Sequence, residues 1–185
     1  MSDQVNNSAG SLPAGGGREF DLFLDPSSTR TGYAIMKRPA VILEAGHLKP
    51  RRRDDSAEDR ITTMAIDLEE LIRKRPPSSI VIEIPSGKVH GRLRGNAPHL
   101  VVYGMAVGAM YWAARSAVDS IPGGIHLVNA NEWTRGQSKA KRCRLIAAEF
   151  PAYAKDFASD SGGDMADAIG LGVWWYAKER RERLP

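Results

Sequence analysis

Four carboxylates in three separated segments are the residues best suited to chemistry. Asp25 closes Phe20-Asp-Leu-Phe-Leu-Asp25, Glu83 lies inside Ile80-Val-Ile-Glu83-Ile, and Asp164 and Asp167 stand in Asp164-Met-Ala-Asp167-Ala-Ile. Each acid alone has a plainer explanation. Asp25 can start a turn through its side chain, Glu83 can sit in a buried ion pair or at a strand's exposed end, and the last pair can favour a helix N-terminus. Gathered around one cavity, they would form an all-oxygen donor set of the kind Mg2+ takes, and a shared carboxylate cluster is what a two-metal centre requires.

Cationic residues accompany the acids. The segment Pro85-Ser-Gly-Lys88-Val-His90-Gly-Arg92-Leu-Arg94-Gly-Asn-Ala-Pro98 reads as a Gly-rich loop whose Lys88, His90, Arg92 and Arg94 could follow a phosphate backbone. From Ser138 to Phe150 the spacing predicts a basic helix with Lys139, Lys141, Arg142 and Arg144 in its first two turns. Such a face is either solvated or turned toward an anionic partner, and its place before the last acidic motif raises the second reading. Arg51-Arg-Arg53 followed by Asp54-Asp55 reads as a solvated connection with no assigned function.

The elements that must position these residues follow from apolar patterning. Phe20 to Asp25 and Tyr33 to Met36 are predicted strands around the turn Pro26-Ser-Ser-Thr-Arg-Thr-Gly32, and Val41 to Gly46 is a third, with a Gly-His break before Leu48. Three such strands suggest an antiparallel meander. Ser56 opens a helix whose Ile61, Met64, Leu68, Leu71 and Ile72 recur at helical spacing and which Pro76-Pro77 ends. Ile80 to Ile84 has the near-continuous apolar pattern of a central strand.

His99 to Val118 reads as a helix apolar on nearly every side, with Gly104, Ala106, Gly108 and Ala109 allowing close approach to the sheet. A second subunit would cover its remaining face. Ile125 to Val128 is a fifth strand, the stretch after Phe150 is irregular, and Asp164 to Tyr176 is a final helix. Asp164 and Asp167 are three positions apart, so both project from one face of that helix.

Composition narrows the function. The chain has 185 residues, enough for one hydrophobic core. It is too short for the two lobes and second phosphate loop of an actin-like or sugar-kinase-like ATPase. Lys and Arg total 26 against 22 Asp and Glu, so an anionic partner must be met by clustered charge. The single cysteine, Cys143, excludes an internal disulfide and a cysteine-rich zinc site, and it reads as an ordinary helix residue. Residues 1–19 have no apolar signal region and read as a flexible tail before a domain spanning 20–185. With no run long enough for a membrane span, the expectation is a soluble cytoplasmic protein.

Taken in order, Leu24-Asp25-Pro26-Ser-Ser-Thr-Arg-Thr31-Gly32-Tyr33-Ala34, Ile82-Glu83 and Asp164-Met-Ala-Asp167-Ala-Ile resemble the motifs of the RuvC family of Holliday junction resolvases. The resemblance runs from about Phe20 to Tyr176. It implies the α/β ribonuclease H-like fold, a mixed five-stranded sheet flanked by helices, and a homodimer that nicks two opposed strands of four-way DNA. It also implies that Asp25, Glu83, Asp164 and Asp167 are catalytic ligands of two Mg2+ ions, with Mn2+ as a substitute. Lys88, His90, Arg92, Arg94, Lys139, Lys141 and Arg142 would face DNA.

The family places lysines before the final acids, and both Lys139 and Lys141 fall near that place. Ser27 replaces the usual glycine after Asp-Pro. Ser86 stands where bacterial members carry an aromatic residue. Loss of that aromatic admits a broader branched-DNA nuclease acting on flaps or forks as an alternative. A non-catalytic junction-binding module is a third reading, against which the retained acids argue, because they repel phosphate.

Overall fold

The computed structural model describes residues 20–52, 54–85, 97–160 and 162–183. The expected tail at residues 1–19 and the loop residues Lys88, His90, Arg92 and Arg94 lie outside the described residues, as does Ser86.

The sheet contains β1 (Asp21–Asp25), β2 (Thr31–Lys37), β3 (Val41–Leu48), β4 (Ile80–Ile84) and β5 (Ile125–Asn129), in the order β3-β2-β1-β4-β5. The first three pair antiparallel as a meander, and β4 joins β1 and β5 in parallel. β3 continues through Gly46 and His47, where the sequence reading placed a break. Both residues keep ladder partners, Tyr33 and Gly32, and pairing outweighs weak strand propensity.

Alternation along β1 assigns its side chains to two cores. Leu22 and Leu24 face α1 (Ala57–Lys74) and α2 (Ala97–Ser116), packing with Met64, Leu68, Ile72 and Met110. Phe23 faces the other way, toward Met36, Val81 and the helix later in the chain that carries Ile169 and Leu171. Burying each of these large side chains contributes roughly 2 kcal/mol. The α1 helix starts where expected, because the Ser56 hydroxyl accepts from the Asp59 amide.

After β5 come α3 (Ala130–Thr134), α4 (Lys139–Glu149), α5 (Ala154–Ser159) and α6 (Asp164–Glu182). The α3 turn was not predicted. It is held by a capping box in which Asn129 and Glu132 satisfy each other's backbone. The stretch expected to be irregular holds a 3-10 turn at Pro151–Tyr153 and then α5.

The α2 helix also departs from expectation. Its buried line is Ala106, Met110, Ala113 and Ala114, set against α1 and the sheet. An added Cβ at Gly104 or Gly108 would meet nothing within 4 Å, so these glycines do not serve close packing within the described chain. Val101 is 63% and Trp112 70% exposed. Among the described residues, no helix is long and apolar enough to cross a membrane.

Candidate acidic active site

The parallel pairing of β1 and β4 sets Leu24 beside Ile82, so the next residues, Asp25 and Glu83, reach the same end of adjacent strands. That carboxyl end is where open α/β sheets build ligand sites. The α6 helix brings Asp164 and Asp167 to it. Its first turn follows Gly163, whose φ of 68° lies in the left-handed region that glycine adopts without strain.

The acids meet at one amine. Lys139 Nζ, projecting from the first residue of α4, lies 2.8 Å from Asp164 Oδ1, 3.2 Å from Asp167 Oδ2 and 3.8 Å from Asp25 Oδ2. Lys141 is exposed on the same helix, so of the two candidate lysines it is Lys139 that reaches the acids. Arg142 turns inward, its Nε and Nη2 donating to the two oxygens of Asp167 at 2.9 and 2.8 Å. Its guanidinium also lies 5.0 Å from the centre of the Trp133 ring, and Trp133 Nε1 donates to Glu83 Oε2 at 2.7 Å. Glu83 and Asp167 are thereby tied through one stacked pair.

Sequence reasoning missed a second layer on the Asp164 side. Asp160, buried in the loop before α6, accepts from the amides of Asp164 and Ala166 and so caps the first turn. The same carboxylate lies 3.1 Å from Arg30 Nη2 and 3.0 Å from His47 Nε2. Arg30 also donates from Nε and Nη2 to Asp164 Oδ2. Partners 130 and 113 residues apart leave no local signal. On α2, burial and then the charges of Asp25, Glu83, Asp164 and Asp167 push the Tyr103 phenol up.

The electrostatics are those of an anionic site short of positive charge. Burial, then the charge of Glu83, holds Asp25 well above the usual carboxylate range, although Lys139 opposes the shift. Burial raises Glu83 to about 7, against the Trp133 hydrogen bond. For Lys139, burial acts to lower the pKa. The hydrogen bond to Asp164 and the charges of Asp25, Asp167 and Asp164 outweigh it and hold the amine above its ordinary value. Burial raises the Cys143 thiol, consistent with an unreactive helix residue.

This donor set fits a hard divalent cation. It offers only carboxylate oxygens, and like charges are crowded around a single ammonium. No group of three or more acids among the described residues is already set around a common ion position. Lys139 Nζ stands between them instead. Its side chain is 42% exposed, and a lysine stem is flexible enough to withdraw.

The Glu83 shift gives an expected stability profile. Between about pH 4.5 and 7 the folded state retains a proton that the unfolded chain releases, so stability falls as pH rises through that window. The accumulated loss is up to roughly 3 kcal/mol. Glu83→Gln stays neutral and keeps an oxygen to accept from Trp133. In EDTA its melting temperature should exceed wild type by several degrees at pH 8 and converge with it near pH 4. Calorimetry at the two pH values checks this, and a gap independent of pH would mean that ionisation of Glu83 is not its source.

No family model matches the sequence, and no curated protein matches it. Solved structures do resemble it. Thermus thermophilus RuvC in complex with a Holliday junction substrate is similar with a TM-score of 0.63 and 14% identity, over 89% of this chain and 97% of that one. A second Thermus thermophilus RuvC structure gives 0.58 and 15%, over 87% and 96%. The mixed sheet, its flanking helices and the acids at the carboxyl end of β1 and β4 thus belong to a chain with the ribonuclease H-like fold of RuvC.

Proposed function

We propose that the protein is a Mg2+-dependent, structure-selective DNA endonuclease that resolves four-way junctions by paired nicks. The observation that carries this reading is the convergence of Asp25, Asp164 and Asp167 on one lysine amine, with Glu83 beside Asp25, in a fold shared with a protein solved on a Holliday junction. Asp25, Glu83, Asp164 and Asp167 would hold the ions, and residues 20–185 would form the nuclease domain behind a tail at 1–19. Two bound Mg2+ ions would supply Lewis-acid activation of the attacking water and stabilise the departing 3′ oxygen.

The chain's own residues prepare the site for that role. Arg142 holds both oxygens of Asp167 in a fixed fork, and Arg30 together with Asp160 fixes the other helix carboxylate. Lys139 offsets the repulsion among acids and would withdraw to face the substrate phosphate. Outside the acid cluster, exposed Lys141 and the cationic loop residues Lys88, His90, Arg92 and Arg94 are proposed to follow the DNA backbone.

Paired nicking of opposed strands calls for two active sites. The exposed apolar stripe of α2, with Val101, Met105 and Trp112, is proposed as the self-association surface. Sedimentation at micromolar concentration should give a dimer, and Trp112→Glu should shift it to monomer. A monomeric wild type would remove this part of the reading.

The direct test is cleavage of a labelled four-way junction beside fork, flap and linear duplex, with Mg2+ or EDTA. Paired, metal-dependent nicks confined to the junction are expected. Cutting of forks or flaps as well would assign a broader branched-DNA nuclease, and tight binding with no cutting under any divalent metal would assign a binding module.

A further inference from the structure

A cleft next to the acid cluster is lined on one side by Pro50, which precedes Arg51 and Arg52 in the chain. The cleft encloses about 560 Å3 and is lined by Ser27, Thr29, Arg30, Pro50, Arg60 and Asp164 among others. On either side of Pro50, Lys49, Arg51 and Arg52 are exposed, before the acids Asp54 and Asp55. Among the described lining residues the one carboxylate is Asp164, already paired with Arg30 and Lys139.

Two guanidiniums are pre-set in this cleft. Arg60 donates from Nε to the Ser28 carbonyl and from Nη1 to the Asp55 carbonyl. Arg30 uses Nε and Nη2 on Asp164 and Asp160. Among the described residues, these bonds leave Nη2 of Arg60 and Nη1 of Arg30 without an acceptor. Backbone tethers remove much of the side-chain entropy that a cation on a solvated face would lose on binding, so this pair suits an oxyanion better than the exposed cations around it. The hydroxyls of Ser27 and Thr29 bond to each other at 3.1 Å, and the one that accepts keeps its proton as a further donor.

The Asp164 carboxylate joins this cleft to Lys139, with Arg30 on one oxygen at 3.0 Å and Lys139 on the other at 2.8 Å. An anion in the cleft would thus neighbour one facing the acids. Neighbouring phosphates of a single strand meet that requirement without a break in the chain. We propose that the cleft holds the phosphodiester next to the scissile one on the cut strand, with Arg60 as its principal cation. The proposal rests on the nuclease reading and deepens it by assigning a substrate subsite.

The test uses four-way junctions in which single phosphates within two nucleotides of the mapped cut are replaced by uncharged methylphosphonates. Binding is titrated in EDTA over a range of salt with wild type, Arg60→Gln and Thr29→Glu. At one position the replacement should weaken wild-type binding roughly tenfold and cost Arg60→Gln nothing further. Both variants should also lower the salt slope by about one. Thr29→Glu introduces charge at an exposed position and leaves the Arg60 tethers intact, so it reports even where Arg60→Gln fails to fold. If every methylphosphonate weakens the variants as much as wild type, the subsite is wrong, while cutting by wild type still upholds the nuclease. A wild type that neither binds nor cuts branched DNA sinks both.

Discussion

Asp25→Asn is expected to leave a folded protein that binds junctions and does not cut them, with cleavage down by about 10³-fold or more. Asp25 is buried at the end of a central strand, and Asn has nearly the same shape, so the packing of Pro26 and Leu24 survives. What disappears is one charge of the proposed ligand set. Because burial and neighbouring acids already penalise the ionised carboxylate, removing it relieves repulsion. The thermal stability of the variant in EDTA at pH 8 should therefore match or exceed that of wild type. Mg2+ should raise the melting temperature of wild type by binding the folded state, and raise that of Asp25→Asn much less. This readout separates loss of the ion site from loss of DNA binding. Normal cutting by the variant, or an undiminished Mg2+ shift, would falsify the assignment of Asp25.

The sheet and the acid cluster were legible because their signals are local. Runs such as Ile80-Val-Ile and Leu22-Phe-Leu are strongly apolar, and an acid inside or at the end of such a run is conspicuous. What decided the rest was tertiary. His47 looked like part of a strand break and lies paired in β3 beside Asp160. Arg142 read as one more cation on a basic helix, yet its reach to Asp167 depends on where α4 crosses α6. The apolar surround of α2 read as one face on the sheet and another left for a second subunit. Among the described residues the first face alone is covered, and periodicity reports apolar faces without saying which neighbour occupies them.

Gly32→Ala is expected to be the most damaging small substitution for both stability and site geometry. Gly32 pairs with Asp25 across β1 and β2, at the point where the first turn of α6 lies on the sheet. A Cβ there would fall 2.1 Å from the Asp164 carbonyl oxygen, 2.3 Å from its carbon and 2.8 Å from the Met165 amide nitrogen. These are backbone atoms of a helix fixed by Asp160 and by the buried Ile169 and Leu171, so no rotamer change relieves the overlap. The α6 N-terminus must move, carrying Asp164 and Asp167 away from Asp25 and Lys139. We expect a loss of about 3 kcal/mol or more and a collapse of cleavage even in the fraction that remains folded. Gly104→Ala and Gly108→Ala, made in the monomeric Trp112→Glu background, form the internal control. Among the described residues of the chain their added methyl groups meet nothing within 4 Å in a helix, so each should be neutral or stabilise by up to about 1 kcal/mol. Denaturant unfolding of the three variants, followed by junction cleavage at matched folded concentration, measures both effects. Equal midpoint shifts for Gly32→Ala and Gly104→Ala, each from its own parent, would mean that α6 does not seat on β2 at Gly32, and the placement of Asp164 and Asp167 opposite Asp25 would fall with it.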